Sequence, residues 1–210
     1  MGAPGAGKGT QARFIQEQHG LQQISTGDMF RAMKDAQTPL AEEVRGIMST
    51  GKLVPDDLTI RVVRERTNAE DCKRGYILDG FPRTTAQAET LETLAAEQGN
   101  KIFAISVDVP FSILEKRVTG RRSCPVCGEI YNIHFKPPKS DNVCDVHPET
   151  QLIQRADDTP EKIKVRVATY EEQTQPVLEY YEMSGRLHRI DGAREPEVIY
   201  EDIEKILTTL

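Results

Sequence analysis

The chain begins MGAPGAGKGT, and Gly2 to Lys8 fit the pattern G-x-x-x-x-G-K of a phosphate-binding loop. Glycines let backbone N–H groups close around phosphate oxygens, the lysine supplies a point charge, and the helix behind the loop adds the positive end of its dipole. No other feature constrains the fold as much, because a loop of this kind joins a β-strand to a helix. Here only Met1 precedes Gly2, so the leading strand is missing from the stretch where it belongs. A central strand buries both faces, and at ~25 cal/mol per Å² of apolar surface its loss would be comparable with a domain's whole stability of roughly 5–15 kcal/mol. The expectation is a mis-assigned or truncated start and weakened support for the loop. The pattern also departs at Gly9, which stands where Ser or Thr is usual; the hydroxyl arrives at Thr10. A plain glycine-rich turn is the alternative reading, and further residues must decide.

Along the chain, helical and strand patterns alternate. Helices are expected at about 7–19, 29–33, 38–49, 56–68, 84–98, 110–121, 160–183 and 195–207, with strands at 75–79, 101–107 and 187–190 and a short apolar stretch at 21–24. Alternation of this kind implies parallel βαβ units, hence an α/β fold with a parallel sheet flanked by helices. Between about 122 and 158 helical periodicity fails, and turn residues with short β-like runs mark an insert.

Asp79 ends an apolar strand and opens Asp79-Gly80-Phe81-Pro82-Arg83-Thr84. Its carboxylate should stand at the carboxyl edge of the sheet, where open α/β folds bind ligands, and could hold Mg²⁺ through water. A helix cap is the alternative. Arg31, Arg83, Arg117, Arg121, Arg155 and Arg166 recur where a sheet edge or the hinge of the insert would place them. Each alone reads as a solvated surface arginine; together with the loop they suggest phosphoryl transfer, which needs dispersed positive charge and planar forks on phosphate. Cys124, Cys127, Cys144 and His147 give the spacing C-x2-C…C-x2-H, which reads as a closed structural zinc site, with Asp145 as a rival for the fourth position. Cys72 reads as a small buried hydrophobe.

The segments GAPGAGKGTQA, STGDMFR, GKLVPDD, LDGFPRT, GRR, QRADD and a closing DG occur in one order across the chain. In this the sequence resembles the adenylate kinase family, in its bacterial long form with a zinc-bearing lid. The resemblance implies a P-loop kinase fold over 1–210, with an AMP-binding helical subdomain at 25–54 and a lid at 121–158. It implies reversible transfer from MgATP to AMP, giving two ADP. ATP contacts then fall on Gly5, Ala6, Gly7, Lys8, Gly9, Thr10, Arg117, Arg121, Ile130, Tyr131 and Arg194. The AMP side falls on Thr26, Arg31, Lys52, Leu53, Val54, Gly80, Phe81, Pro82, Arg83, Gln87, Arg155 and Arg166. Lys8, Arg83, Arg121, Arg155 and Arg166 would be catalytic, Asp79 would hold magnesium through water, and the Phe81-Pro82 bond would be cis. The implied partners are ATP, AMP and ADP, with Mg²⁺ as cofactor and zinc in the lid; the implied state is a monomer.

Composition limits the alternatives. A net charge of −6 opposes a general nucleic-acid binder, so a zinc-ribbon module for RNA or DNA is the weaker reading. No apolar run reaches the ~20 residues of a membrane span, and the four cysteines, with no export signal at the start, point to the cytoplasm. Two alternatives stay close: a kinase for another nucleoside monophosphate, against which Thr26 and Gln87 weigh, and an inactive N-terminally truncated fragment of the same enzyme.

Overall fold

The computed structural model describes residues 1–33 and 36–209; Lys34 and Asp35, within the expected 25–54 insert, and Leu210 lie outside the described residues. Helix α1 (Lys8–His19) starts from Gly7 and stops at Gly20, both left-handed, and the Gly20 N–H returns to the Gln16 carbonyl. That is the glycine stop expected of a helix C-terminus. Strand β1 (Gln22–Ser25) runs straight into α2 (Thr26–Ala32), because the Ser25 side chain accepts from the Asp28 N–H and caps it. Thr38, Thr84 and Thr159 cap α3 (Pro39–Ser49), α5 (Thr85–Glu97) and α7 (Pro160–Thr169) in the same way. Helix α4 (Asp56–Thr67) carries Asp56 and Asp57 in its first turn, where the helix dipole favours them.

The remaining elements are β2 (Tyr76–Asp79), β3 (Ala104–Asp108), α6 (Phe111–Thr119), β4 (Arg121–Ser123), β5 (Ile130–Asn132), α8 (Gln175–Met183), β6 (Leu187–Asp191) and α9 (Pro196–Leu207). A π-helical turn, Tyr170–Thr174, joins α7 to α8, so the expected helix over 160–183 is one run with a widened turn inside it.

The sheet comes in parallel pairs, as the alternation of elements predicts, but in two separate ones. β1 pairs with β2 from Gln22↔Tyr76 to Ser25↔Asp79, and β3 pairs with β6 from Ala104↔Leu187 to Asp108↔Asp191. Among the described residues no strand hydrogen-bonds the two pairs together. The strand expected from Lys101 begins only at Ala104, because β6 offers no partner before Arg186, whose carbonyl takes the Ala104 N–H. A cavity of about 410 Å³ lies between the pairs, lined by Ile77, Leu78, Ile102 and Ile105 among others. Met1 pairs with β3: its ammonium donates to the Ile105 carbonyl, and its own carbonyl accepts from the Val107 N–H at 3.1 Å. The phosphate loop therefore hangs from one residue of strand-like pairing.

Helices hold the halves together. Ile15 of α1, Ile190 of β6, and Ile199 and Ile203 of α9 form one buried cluster, while Val63, Phe81, Leu91 and Leu94 tie α4 and α5 to the end of β2. The insert has its own small core of Cys124, Tyr131, Cys144 and Leu152 around the antiparallel pair β4–β5. No helix is long and apolar enough to cross a membrane.

Candidate active site and metal centre

The phosphate loop turns on Gly5 (φ 86°) and Gly7 (φ 97°), values that side chains with a Cβ avoid. Lys8 folds back over it, and its Nζ donates to the carbonyls of Gly2 and Ala3 at 2.8 and 3.0 Å. Burial pulls the lysine down to about 8; Asp79 opposes this, while Arg83, Arg166 and Arg121 push the same way as burial. Arg117 donates to the Ala6 carbonyl at 3.4 Å and to Gly192 at 2.8 Å, joining the loop to the chain after β6.

Asp79 ends β2 beside the loop, where Gln23 Nε2 reaches its Oδ2 at 3.4 Å. It caps no helix: the cap of α5 is Thr84. A Cβ added at Gly9 would sit 3.3 Å from that same Asp79 oxygen, so a serine or threonine here would crowd the carboxylate. This is a physical reason for the departure from the usual loop pattern.

Across from the loop, the Phe81-Pro82 peptide is cis and Gly80 has φ 79°. The Gly80 carbonyl accepts from Thr26 Oγ1 at 2.9 Å and from Arg83 Nε at 2.7 Å, which fixes the guanidinium. Gln87 is fully buried, with both ends of its amide engaged: Oε1 accepts from the Arg83 N–H and Nε2 donates to Asp56. A cavity of about 120 Å³ opens here, with Lys8, Arg31, Lys52, Gly80, Arg83 and Arg166 in its wall. Leu53, Phe81 and Pro82 also line it, while Val54 lies behind, packed against Phe30, Val44 and Leu58.

The arginines arrive on carboxylates. Asp158 is wholly buried and accepts from Arg121 Nε at 2.8 Å, from Arg121 Nη2, and from Arg166 Nη1 at 3.3 Å. Asp157 takes a second contact from Arg166 at 2.9 Å. Asp28 accepts from Arg31 and lies 3.7 Å from Arg155. Burial pulls Arg155 down to about 10, helped by Arg121 and Arg31 against Asp28 and Asp158; burial also lowers Arg83 and Arg166. Burial opposes the charge on Arg121 as well, but its bonds to Asp158 outweigh that and leave it raised. Added negative charge would favour the charged forms of Arg83, Arg155 and Arg166, which burial disfavours.

In the insert, Cys124, Cys127, Cys144 and His147 bring their ligand atoms within 4.8 Å of one another. The Cys127 and Cys144 sulfurs are 3.8 Å apart, and Cys144 Sγ lies 3.9 Å from His147 Nδ1. Three sulfurs and one imidazole suit a tetrahedral divalent ion and are compatible with zinc. Asp145 is no rival, since its carboxylate accepts from the Lys139 N–H and lies outside the group. Tyr131 is buried, and its hydroxyl accepts from the Asp145 N–H and touches Cys144 Sγ at 3.6 Å. Ile130 is half-buried on the same strand, and Arg194 is paired with Asp202 at 2.6 Å. The insert touches α1 where Arg13 meets Glu129 and the Gly128 carbonyl.

The family model for adenylate kinase matches residues 1–186. The chain belongs to the adenylate kinase family. Among curated relatives named adenylate kinase, one from Oceanobacillus iheyensis is 49% identical over 99% of this chain and 96% of its own length. One from Bacillus subtilis is 46% identical over 99% and 95%, and one from Clostridium novyi is 46% identical over 97% and 94%. Membership makes the protein a kinase of the nucleotide-binding phosphotransferase class.

Several residues of this adenylate kinase family site escaped the sequence reading. Asp28, Asp157 and Asp158 are its counter-charges, yet the segment QRADD gave no sign of which arginine each would meet. Asp56 orients Gln87 and Thr84 from another helix. Only the fold joins such pairs.

Proposed function

We propose that the protein transfers the terminal phosphoryl group of MgATP reversibly to AMP, giving two ADP. One observation carries this reading. A phosphate loop with a buried lysine shares a 120 Å³ cavity with Arg31, Arg83 and Arg166, and the charges of Asp79, Arg121 and Arg155 are felt within the same group of residues. Phosphoryl transfer asks little covalent chemistry of a protein; it asks for two anions positioned in line and for charge dispersed over the group in flight.

ATP phosphates would lie on residues 5–10, where Lys8 exchanges the Gly2 and Ala3 carbonyls for phosphate oxygens. Asp79 is the residue that would hold the Mg²⁺ of MgATP through water, where the ion would offset phosphate charge. Arg83 and Arg31 would grip the AMP phosphate, with Thr26, Gly80 and residues 52–54 forming the wall of the pocket. Arg121, Arg155 and Arg166 would close on the transferring group. Arg117 would join the arginines on the phosphates, Ile130 and Arg194 would flank the base and sugar of ATP, and Tyr131, which is buried, would support them from inside the lid. Water is the competing nucleophile, so lid closure must precede chemistry. The four lid ligands would hold a structural zinc ion that stiffens the lid without touching ATP.

The test is ADP formation from MgATP with AMP, CMP, GMP and UMP as acceptors. Turnover with AMP far above the rest is expected; turnover with another acceptor and none with AMP would refute the assignment.

Two variants probe particular parts. In Gly80→Ala the new Cβ would lie 2.7 Å from Arg83 Nη2 and 3.1 Å from Thr26 Oγ1, on a backbone at φ 79°. We expect KM for AMP to rise at least tenfold, on the order of 1.4 kcal/mol, with KM for ATP little changed, as steady-state kinetics will show. Cys124→Ser should release the metal and lower Tm, and should keep much of the turnover at low temperature. Metal analysis and melting curves check the first two; complete loss of activity in a protein still folded would contradict a purely structural metal.

A further inference from the structure

The cavity assigned to AMP takes two stretches of its wall from distant parts of the chain. Gly51, Lys52 and Leu53 supply one, and Gly80 to Arg83 supply another. Asp56 follows the first stretch by three residues and opens α4, where the helix dipole favours its charge. It does not line the cavity itself. Both its oxygens are engaged behind the second stretch: Oδ2 accepts from Thr84 Oγ1 and Oδ1 from Gln87 Nε2, each at 2.7 Å. The other end of the Gln87 amide, Oε1, accepts from the backbone N–H of Arg83 at 2.8 Å. A glutamine amide can face either way, and here its neighbours leave one choice. A backbone N–H can only donate and an ionised carboxylate can only accept, so the oxygen faces Arg83 and the nitrogen faces Asp56. Gln87 is 2% exposed, so a bond lost there is not replaced by water. Arg83 is thus held twice, through Nε by the Gly80 carbonyl of its own loop and through its backbone by α4, by way of Gln87.

We propose that Asp56 is a positioning residue for Arg83: through the Gln87 amide it fixes the arginine's backbone, pins the two stretches of wall to each other, and so sets the affinity of the cavity for the acceptor's phosphate. The inference rests on the assignment of AMP to this cavity and of Arg83 to its phosphate. The clamp works by hydrogen-bond geometry rather than by charge. Asparagine at position 56 can turn Oδ1 to Gln87 Nε2 and Nδ2 to Thr84 Oγ1, which is able to accept. Alanine can do neither. It leaves Gln87 Nε2 buried with no partner at Asp56, and the amide is then free to leave the Arg83 N–H.

Steady-state kinetics on Asp56→Ala, Asp56→Asn, Arg83→Ala and the double variant Asp56→Ala/Arg83→Ala test this. In Asp56→Ala, KM for AMP should rise about tenfold, with KM for ATP and kcat each within about threefold of wild type. A merely structural role would lower Tm and the active fraction and leave KM for AMP where it was. Asp56→Asn should restore KM for AMP to within about threefold of wild type. In the Arg83→Ala background, where the phosphate grip is already gone, adding Asp56→Ala should change KM for AMP by less than about twofold. Should Asp56→Ala not fold, Asp56→Ser takes its place, since serine favours a helix start but is too short to hold Thr84 and Gln87 together. Amide hydrogen exchange reads the clamp with no nucleotide present: protection of the Arg83 N–H should fall at least about tenfold in the alanine or serine variant and persist in Asp56→Asn. If CMP, GMP or UMP proves to be the acceptor, the AMP assignment fails, and that nucleotide replaces AMP in each measurement. An unchanged KM for the acceptor in the alanine or serine variant, an equal rise in Asp56→Asn, full additivity with Arg83→Ala, or unchanged protection of the Arg83 amide would each overturn the proposal.

Discussion

Lys8→Ala is expected to lower kcat about a thousandfold while leaving Tm unchanged or higher. In the protein without nucleotide, the Lys8 ammonium is buried and bonded only to two neutral carbonyls, of Gly2 and Ala3. Removing one preorganised positive group from developing phosphate charge typically lowers rate by about 10²–10³, and a phosphate-clamping cation sits at or beyond the upper end. Stability moves the other way. The folded protein holds Lys8 at about 8, below its ordinary 10.5, so folding disfavours the charged form. That penalty is fully present below pH 8 and fades as pH rises from 8 towards 10.5. The alanine variant never carries it, so melting near pH 7 should show no loss. A large fall in Tm alongside the fall in kcat would show Lys8 to be a structural residue instead. The same value sets a pH profile: the wild type loses its positive charge as pH rises through about 8, so kcat/KM for ATP should decline on that limb.

Asp158→Ala should have the largest effect on stability. Asp158 is wholly buried and receives two bonds from Arg121 and one from Arg166, while Arg155 lies near enough for its charge to be felt. Taking away one side of a buried ion pair commonly costs about 3–5 kcal/mol, because the remaining charge is stranded. For a chain of this length that corresponds to a fall in Tm of roughly 10 °C. The stranded guanidiniums are the ones assigned to nucleotide phosphates, so saturating MgATP and AMP should restore part of the loss. Melting curves with and without nucleotide test both statements. An equal fall in both conditions would mean that these arginines do not meet phosphate.

What the sequence showed clearly was local. The phosphate loop and the paired Cys-x2-Cys and Cys-x2-His turns are each written within a few residues, and the structure brings the residues of each together. Asp79 could be placed because an apolar run fixes its position at a strand end, which is local as well. The counter-ions could not be placed. Arg121 and Asp158 stand at the two ends of the insert in sequence, and which carboxylate meets which guanidinium depends on how the insert folds back. The division of the sheet was half legible. The alternation of elements announced parallel pairing, but only the structure shows Met1 bridging β3 and, among the described residues, the two pairs left apart. The π-helical turn had no signal, since the helical pattern over 160–183 is unbroken.

That turn sits at a mechanically telling place. Arg166 on α7 reaches the carboxylates of the lid, and Thr174, at the end of the turn, donates to the backbone carbonyl of Arg83 at 3.0 Å. One continuous helical run carries both contacts, so moving as a rigid body it would act as a gear between the insert and the arginine assigned to AMP. A rigid rotation that swung Arg166 off Asp157 and Asp158 would also draw the Thr174 hydroxyl from Arg83. Gears depend on their teeth: inserting one residue between positions 166 and 174 would turn the two contacts by about 100° relative to each other, uncoupling the two ends while leaving every residue of both in place.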